Sequence, residues 1–410
     1  MKVVLFAPNI DATDVGEALV AFRWAEALAR RVELTVLAFQ RPGRPALAAQ
    51  LPGAEVVTWP EPATLLRVER LNAMLKPGYP IIHRAVRRWL RDQIAAGRRF
   101  DLGHQLMPLA ARYPCAFHGM GLPYLLGPVG GTLPTPPGFV QELGRPPWFT
   151  RLRALDAWRL RHDPWLRRSY AGADLVLGVA PYMATALAAI PLRRFEAMLE
   201  LGIDDLAPAR ETGQEVGHAP GLRLLHVGRG VRTKGLRDTI RALAQLSDLP
   251  GLGLTAIGAG EDTPHARAEA EALGVADRVT FLGQQPHDRV LAAYGAADLF
   301  VFPSFREPTG GVLYEAMRAG LPVITVDYGG PAFITDDACA LRLPLSTPQA
   351  LARDIAGAVR GLYHDRDRLR AMAAAARTRV AAEGLWDNKV RRMTDLYAQV
   401  LAARGGQARP

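Results

Sequence analysis

Residues 299–326 read LFVFPSFREPTGGVLYEAMRAGLPVITV, and the order of patterns within them decides the fold. The apolar run 299–303 ends in a polar turn, a helical pattern begins near Gly310, and a second apolar run follows at 322–326. Short apolar runs that alternate with helical patterns are typical of buried parallel strands. This stretch therefore predicts a strand, loop, helix and strand of an α/β sheet.

The same alternation extends outward through both halves of the chain. Further strands are predicted at residues 2–7, 32–38, 54–58, 102–106, 123–127, 175–179, 222–227, 252–257 and 278–282. We therefore predict two Rossmann-like, doubly wound domains facing a central crevice, where the carboxyl ends of the strands hold ligands.

The length of 410 residues favours two domains, since a single hydrophobic core seldom grows that large. Residues 204–220 are rich in Pro, Gly and charge and are predicted to link a domain at 1–203 to a domain at 221–385. A helix at 386–410 is expected to pack back on the N-terminal domain.

The basic charge of the chain belongs to its N-terminal half. Residues 1–200 hold 25 Lys+Arg against 16 Asp+Glu, a net +9, and the rest of the chain is close to neutral. Such a field attracts anionic partners. No zinc pattern or nucleic-acid recognition motif accompanies the charge, which argues against a nucleic-acid partner.

The two cysteines and the N-terminus both favour a cytoplasmic location. Cys115 and Cys339 fall in different predicted domains, so we expect no structural disulfide. The start, MKVVLFAPNI, has no signal-peptide pattern. Residues 175–192 have the length of a membrane span, but Gly178 and Pro181 interrupt them and favour a buried strand and a short helix.

Two cations follow the predicted strand 222–227, in the sequence VGRGVRTKG. The order of residues is not that of a Walker A loop. Arg229 and Lys234 are placed for a diphosphate, and Lys234 is one of 4 lysines among 50 basic residues, so a compact ammonium is indicated. The alternative is a solvated basic turn.

Glycines and carboxylates complete the predicted site. Gly258 and Gly260, next to Glu261, would let a backbone approach a ligand, although a third glycine in Rossmann spacing is missing. Free N–H groups near Gly310, Gly311 and Val312 could hold a phosphate at the start of the helix. Glu307 and Glu315 flank that position. The alternative for Glu315 is an ordinary surface residue of the helix.

Together these residues resemble the retaining family 4 glycosyltransferases of the GT-B fold. The resemblance runs through VGRGVRTKG, IGAGED, VTFLGQQPHDRV and the stretch from AADLFVF to DYGGP, over roughly residues 222–332. It implies that Arg229 and Lys234 bind the donor diphosphate, that Glu307 contacts the transferred sugar and that Glu315 contacts the ribose. It also implies that the loop carrying Gly16 lies near the phosphates.

The N-terminal half departs from the family pattern at a histidine. Many members carry a His after the strand here predicted at 123–127, where this chain has Pro128, Val129, Gly130 and Gly131. His104 and His118 are substitutes by position, and His104 is our candidate for a catalytic role. Alternatively, the glycine pair admits the sugar or a phosphate to backbone N–H groups.

These observations predict an enzyme that moves a hexose from a nucleoside diphosphate sugar to an acceptor hydroxyl, with retention, in polysaccharide or glycolipid synthesis. No Asp-x-Asp pattern is placed to hold a metal, and no cofactor is expected. The alternatives are a nucleotide-sugar epimerase or phosphorylase on the same architecture, and a non-catalytic sugar-nucleotide-binding partner subunit.

Two arginine-rich stretches, 84–99 and 151–168, interleave Trp and Leu at helical spacing. This pattern suits surface helices on anionic headgroups, so we predict peripheral binding to the inner membrane face and a lipid-linked acceptor. The alternative is that the apolar side chains pack into the domain and the arginines are merely solvated.

Overall fold

The computed structural model describes residues 1–62, 76–131, 133–144, 154–208, 216–218 and 220–407. The chain divides into two compact units. The first comprises Met1–Thr132, Trp148–Glu200 and Trp386–Pro410, and the second comprises Leu133–Pro147 and Leu201–Leu385.

The first unit is built on a seven-stranded parallel sheet. Its strands are β1 (Lys2–Phe6), β2 (Glu33–Gln40), β3 (Glu55–Pro60), β4 (Leu102–Gln105), β5 (Tyr124–Val129), β6 (Leu175–Gly178) and β7 (Phe195–Ala197). They lie in the order β3-β2-β1-β4-β5-β6-β7. The helices are α1 (Glu17–Ala29), α2 (Leu47–Gln50), α3 (Tyr79–Ala95), α4 (Ala154–His162), α5 (Pro164–Ala171) and α6 (Tyr182–Ala186). The central strands β4, β5 and β6 are buried throughout, as expected of a sheet covered on both faces.

The second unit repeats this plan on a six-stranded parallel sheet. Its strands are β8 (Leu222–Val227), β9 (Leu252–Ile257), β10 (Val279–Gly283), β11 (Leu299–Phe302), β12 (Val323–Val326) and β13 (Ala340–Leu343), and their order is β10-β9-β8-β11-β12-β13. The helices are α7 (Leu236–Leu243), α8 (Thr263–Ala272), α9 (His287–Ala296), α10 (Gly311–Arg318), α11 (Gly329–Ile334), α12 (Pro348–His364) and α13 (Arg366–Glu383). The strand order reverses between β8 and β11, which is where sheets of this kind bind ligands.

The last helix, α14 (Trp386–Gln407), belongs to the first unit. Its apolar side chains recur at helical spacing and lie in the core of that unit beside α1. Trp386 packs edge-on against Trp24 of α1, with ring centroids 5.3 Å apart. The apolar stripe of this helix is therefore satisfied within one unit.

The predicted α/β class with two Rossmann-like sheets is confirmed. The two units differ from the predicted bounds, because residues 133–147 and 201–203 belong to the second unit and not to the first, and the predicted linker 204–220 also falls within the second unit. The stretch 128–148 is also less irregular than expected, since Pro137–Leu143 forms a 3-10 helix. Residues 175–192 form β6 and α6 as predicted, and none of the described helices has both the length and the apolarity to cross a membrane. Part of the predicted linker, 209–215 and 219, lies outside the described residues.

Candidate functional site

The candidate site of the second unit lies where the paired strands β8 and β11 end. The chain after β8 forms a tight turn, Arg232–Lys234, and the chain after β11 leads to Glu307. The Lys234 ammonium donates to the Glu307 carboxylate and lies 5.5 Å from the centre of the Phe302 ring. The structure thus joins the predicted cation and the predicted carboxylate in one ion pair.

The glycines predicted to admit a ligand are required by the packing of two loops. A Cβ atom at Gly258 would lie 1.9 Å from the Gly228 carbonyl oxygen, and a Cβ atom at Gly260 would lie 2.5 Å from the Gly230 carbonyl oxygen. The loops after β8 and β9 therefore touch through bare backbone. The prediction of ligand contact at Gly258 and Gly260 remains untested.

Arg229 projects from the first of these loops and is exposed, as is Glu261 in the second loop. No ion pair or side-chain hydrogen bond engages Arg229 within the described part of the chain. Its guanidinium is therefore available to an anion, whereas Lys234 must exchange its partner to bind one.

Helix α10 begins at the phosphate position predicted from the sequence. Gly310 caps it in the left-handed region with φ 99°, and among the described residues no side-chain cap hydrogen bond is made at this end of the helix. Gly311 is half-buried, and a Cβ atom there would lie 2.7 Å from Leu201 Cδ1, so a larger side chain would require Leu201 to shift. Val312 is half-buried in the same first turn. The start of α10 retains the open donors that an anion needs.

Glu315 lies one turn further along α10 and is not an ordinary surface residue. Tyr294 of α9 donates a hydrogen bond of 3.1 Å to its carboxylate. Burial raises the pKa of Glu315 above its ordinary value, against the opposing effect of the Tyr294 hydrogen bond. A half-buried carboxylate with capacity for another donor is suited to a hydroxyl ligand.

His104 in the first unit requires a correction. Its side chain is fully buried, Nδ1 lies 2.5 Å from the Tyr397 hydroxyl and Nε2 lies 2.6 Å from the Gly127 carbonyl oxygen. Burial lowers the pKa of His104 to about 4. With both ring nitrogens occupied, His104 is a core residue and not a side chain open to a substrate.

The other candidate residues of the N-terminal half lie in different surroundings. His118 is half-buried, with Nδ1 3.2 Å from the Tyr124 hydroxyl. The Gly130 N–H donates to the Leu109 carbonyl oxygen at 2.6 Å, so this donor of the glycine pair is occupied, and contact of the pair with a sugar or phosphate stays a prediction. Gly16 precedes α1 with φ 64°, and no atom of the described residues lies within 4 Å of a Cβ added there.

A charged cluster at the carboxyl ends of β1 and β4 was missed by the sequence analysis. Lys76 pairs with Glu17, whose carboxylate also accepts from the Leu109 N–H at 2.6 Å. Arg112 lies 3.4 Å from Asp156. The available signal was Lys76, which is as unusual in this arginine-rich chain as Lys234.

Tyr113 adds an unpaired polar atom beside this cluster. Its side chain is 6% exposed, and its hydroxyl has no hydrogen-bond partner in the described part of the protein. Burial raises the pKa of Tyr113 to about 12, with Arg112 the strongest opposing charge.

Among the described residues, no group of three or more His, Cys, Asp or Glu side chains is placed to hold a metal ion.

Comparisons with known proteins find a matching family model and several relatives. Residues 216–379 match the family described as glycosyl transferases group 1. A D-inositol 3-phosphate glycosyltransferase of Nocardia farcinica is 35% identical over 206 residues, which are 48% of this chain and 44% of the relative. A GDP-mannose-dependent alpha-(1-6)-phosphatidylinositol monomannoside mannosyltransferase of Mycobacterium tuberculosis is 31% identical over 58% of this chain and 65% of the relative. The chain thus spans about half the length of the first of these relatives.

Solved structures agree in fold. A sucrose-phosphate synthase of Thermosynechococcus elongatus superimposes with a TM-score of 0.65 at 20% identity, covering 98% of this chain and 99% of the other. The HepE protein of Anabaena in complex with UDP superimposes with a TM-score of 0.64 at 18% identity, covering 97% and 100%. At these identities the likeness concerns the fold alone.

Proposed function

Because residues 216–379 are a glycosyl transferases group 1 domain, we propose that this chain transfers a sugar from a nucleotide-sugar donor to an acceptor hydroxyl. The observation that carries the proposal is the Lys234–Glu307 ion pair where β8 and β11 end. It joins a cation for a diphosphate to a carboxylate for a sugar at one point of the sheet.

The charges of this site suit departure of a nucleoside diphosphate. As the bond to the sugar breaks, negative charge grows on the diphosphate and positive charge grows on the sugar ring. The negative charge would be stabilised by Lys234, by the exposed Arg229 and by the open N–H groups of α10. The positive charge on the sugar ring would be stabilised by Glu307. Glu315 would accept from the ribose hydroxyls. Among similar structures, HepE was solved with UDP and with UDP-glucose, which supports a nucleotide sugar as donor.

We further propose a hexose as the transferred sugar and retention of its configuration, in polysaccharide or glycolipid synthesis. One mannosyltransferase among the relatives is named for GDP-mannose, and the sequence resembles retaining enzymes. The product anomer, assigned by NMR of the coupled product, tests retention directly.

The acceptor is proposed to carry an anionic group. Lys76 and Arg112 stand at the carboxyl ends of β1 and β4 in the half of the chain with net charge +9. Two relatives are named for phosphate-bearing inositol compounds, which supports an acceptor of this charge.

Contact with an anionic membrane is proposed for the surface of α4 and α5. Three large apolar side chains, which we name the tryptophan patch, are about half exposed: Leu155 at 53%, Trp158 at 57% and Trp165 at 52%. Arg161 and Arg168 are exposed on the same helices. Helix α3 fits the alternative interpretation better, because Trp89 is half-buried and packs on Phe100. Residues 151–153 of the second stretch lie outside the described residues.

The decisive experiment is a screen of nucleotide sugars in the presence of an anionic lipid extract. Nucleotide release that depends on both donor and extract, with a glycosylated lipid detected by mass spectrometry, is the expected result. Tight nucleotide binding without any release would favour the non-catalytic alternative.

A further inference from the structure

Residues 133–144, which we name the strap, lie within Leu133–Pro147, which belongs to the second unit although Met1–Thr132 and Trp148–Glu200 belong to the first. The strap contains the 3-10 helix Pro137–Leu143. At Gly138 an added Cβ atom would lie 1.9 Å from the Ser346 carbonyl oxygen, so the backbones meet directly there. This close fit shows that the strap is an integral part of the second unit.

The strap contributes an aromatic contact next to the turn that carries Lys234. Phe139 is fully buried and stacks on Phe305, with ring centroids 4.5 Å apart and an interplanar angle of 27°. The Arg232 guanidinium lies 5.2 Å from the centre of the Phe305 ring. The Phe305 N–H donates to the Thr233 carbonyl oxygen at 3.1 Å. Phe139 thus supports the contact between the turn that carries Lys234 and the loop that carries Glu307.

The strap also contributes a carboxylate to Arg232. The Arg232 Nε donates to Glu142 Oε2 at 2.7 Å, and its two terminal nitrogens donate to Asp238 at 2.6 Å and 2.8 Å. Arg232 is 7% exposed, so it cannot rely on solvent to balance its charge. Since Arg232 begins the turn that Lys234 ends, its anchoring fixes the turn.

Two further hydrogen bonds attach the strap on the other side of the ion pair. Arg306, next to Glu307, donates to the Thr135 hydroxyl at 3.1 Å. Tyr328 donates to the Pro134 carbonyl oxygen at 3.0 Å, and the Gly330 N–H donates to the Glu307 carbonyl oxygen at 2.9 Å. The strap therefore contacts the segments on both sides of the Lys234–Glu307 pair.

We propose that the strap positions the donor site, with Glu142 acting through Arg232 and Phe139 acting through Phe305. Neither is a catalytic residue, since each reaches the ion pair only through another side chain. The inference rests on the proposed function, because it assumes that Lys234 binds the donor diphosphate. Displacement of Arg232 or Phe305 shifts Lys234, and diphosphate affinity falls as a result.

A double-mutant cycle on the full chain tests this inference, with UDP, GDP, ADP and dTDP as calorimetric probes. Glu142→Gln keeps the hydrogen-bonding shape but removes the charge, and Asp238 still balances Arg232, so we expect the variant to fold. Its affinity for the preferred nucleotide should fall about tenfold, within the usual range of coupling between sites. In a Lys234→Ala background the same change should alter affinity less than about twofold, because independent effects add and shared ones do not. Phe139→Leu should behave in the same way.

Val140→Ala and Gln141→Ala are matched controls, since both residues lie exposed on the strap. They should bind nucleotide like the wild type. Wild-type affinity in Glu142→Gln, or an equal loss in both backgrounds, overturns the inference, and melting temperatures separate a general loss of stability from either result. If Lys234→Ala binds every nucleotide as the wild type does, Lys234 is not part of the donor site and the inference fails with that premise; if the wild type binds none of them, the proposed function itself fails.

Discussion

Lys234 and Glu307, 73 residues apart in sequence, form an ion pair at the point where the neighbouring strands β8 and β11 end. Both side chains are largely withdrawn from solvent. A diphosphate that binds Lys234 would therefore compete with Glu307 for the ammonium group. In the proposed function, binding of the donor diphosphate to Lys234 would free the Glu307 carboxylate, which is proposed to face the sugar.

Replacement of Lys234 tests the cation. We expect Lys234→Ala to weaken nucleotide-sugar binding by roughly 1.5–3 kcal/mol, the usual cost of losing a charge-assisted contact in a partly dry site. Isothermal calorimetry measures this loss, and Lys2→Ala, which removes an exposed lysine at the start of β1, is the control. Unchanged affinity would remove Lys234 from the donor site.

We expect Glu315 to lower the stability of the fold at neutral pH and to strengthen the binding of the nucleotide sugar. Burial raises its pKa, so the fold prefers the protonated acid, and the corresponding stability is lost as pH rises through that raised pKa. Glu315→Gln should therefore melt higher than the wild type at pH 7.5, and the difference should shrink toward pH 4. The same variant should bind nucleotide sugar more weakly at neutral pH. A variant that melts lower at pH 7.5 with full affinity would contradict both expectations.

His104 should matter for stability and not for turnover. Its pKa of about 4 lies below the ordinary value of 6.5, so its contribution to stability is present above pH 6.5 and lost as pH falls toward 4. His104→Gln should cost roughly 1–3 kcal/mol at pH 7, since Tyr397 or Gly127 loses a buried partner. Urea unfolding at pH 7 and pH 5 should show a smaller difference at pH 5. A large fall in activity per folded molecule would restore the catalytic hypothesis.

Arg112 tests the acceptor proposal. Arg112→Ala should raise the acceptor KM by about tenfold, the equivalent of 1.4 kcal/mol, and leave the donor Kd unchanged. Arg99→Ala, an exposed arginine of the same unit, serves as the matched control. Equal changes for both variants would indicate general charge attraction in place of a defined subsite.

The tryptophan patch should bind vesicles of phosphatidylcholine with phosphatidylserine. The double variant Trp158→Ala and Trp165→Ala should sediment less with these vesicles at low salt, while Leu273→Ala, which removes an exposed side chain of the second unit, should sediment like the wild type. Each exposed arginine adds about 1 kcal/mol at such a surface, so binding should fade as salt increases. Equal sedimentation of the double variant would refute the membrane proposal.

Sequence patterns predicted those parts of the molecule that depend on local order along the chain. The strands around residues 222–227 and 299–303 follow from apolar runs, and the start of the helix near Gly310 follows from the turn before it and the helical pattern after it. His104 could not be judged in this way, because its partner Tyr397 lies 293 residues further along. The apolar pattern predicts where a strand ends, but it does not predict which distant side chains pack on each face of the sheet.

The strap was unpredictable for a similar reason. Phe139 stands in a Gly/Pro-rich stretch without apolar periodicity, so nothing local identifies Phe305 as its partner. Glu142 and Arg232 are ordinary charged residues in sequence and acquire their role only from burial. Pairs of residues so far apart in sequence can be identified only from the folded structure.

The path of the strap also bears on how this architecture can be recombined. A chimera cut at the linker would join the second sheet of one parent to residues 133–144 of another, so Phe305 and Arg232 would meet foreign side chains. Successful exchange of donor specificity between related enzymes would then require the strap to be transplanted together with residues 201–385. In an evolving lineage, the same arrangement makes substitutions at Phe139 and Glu142 covary with positions in the other half of the chain.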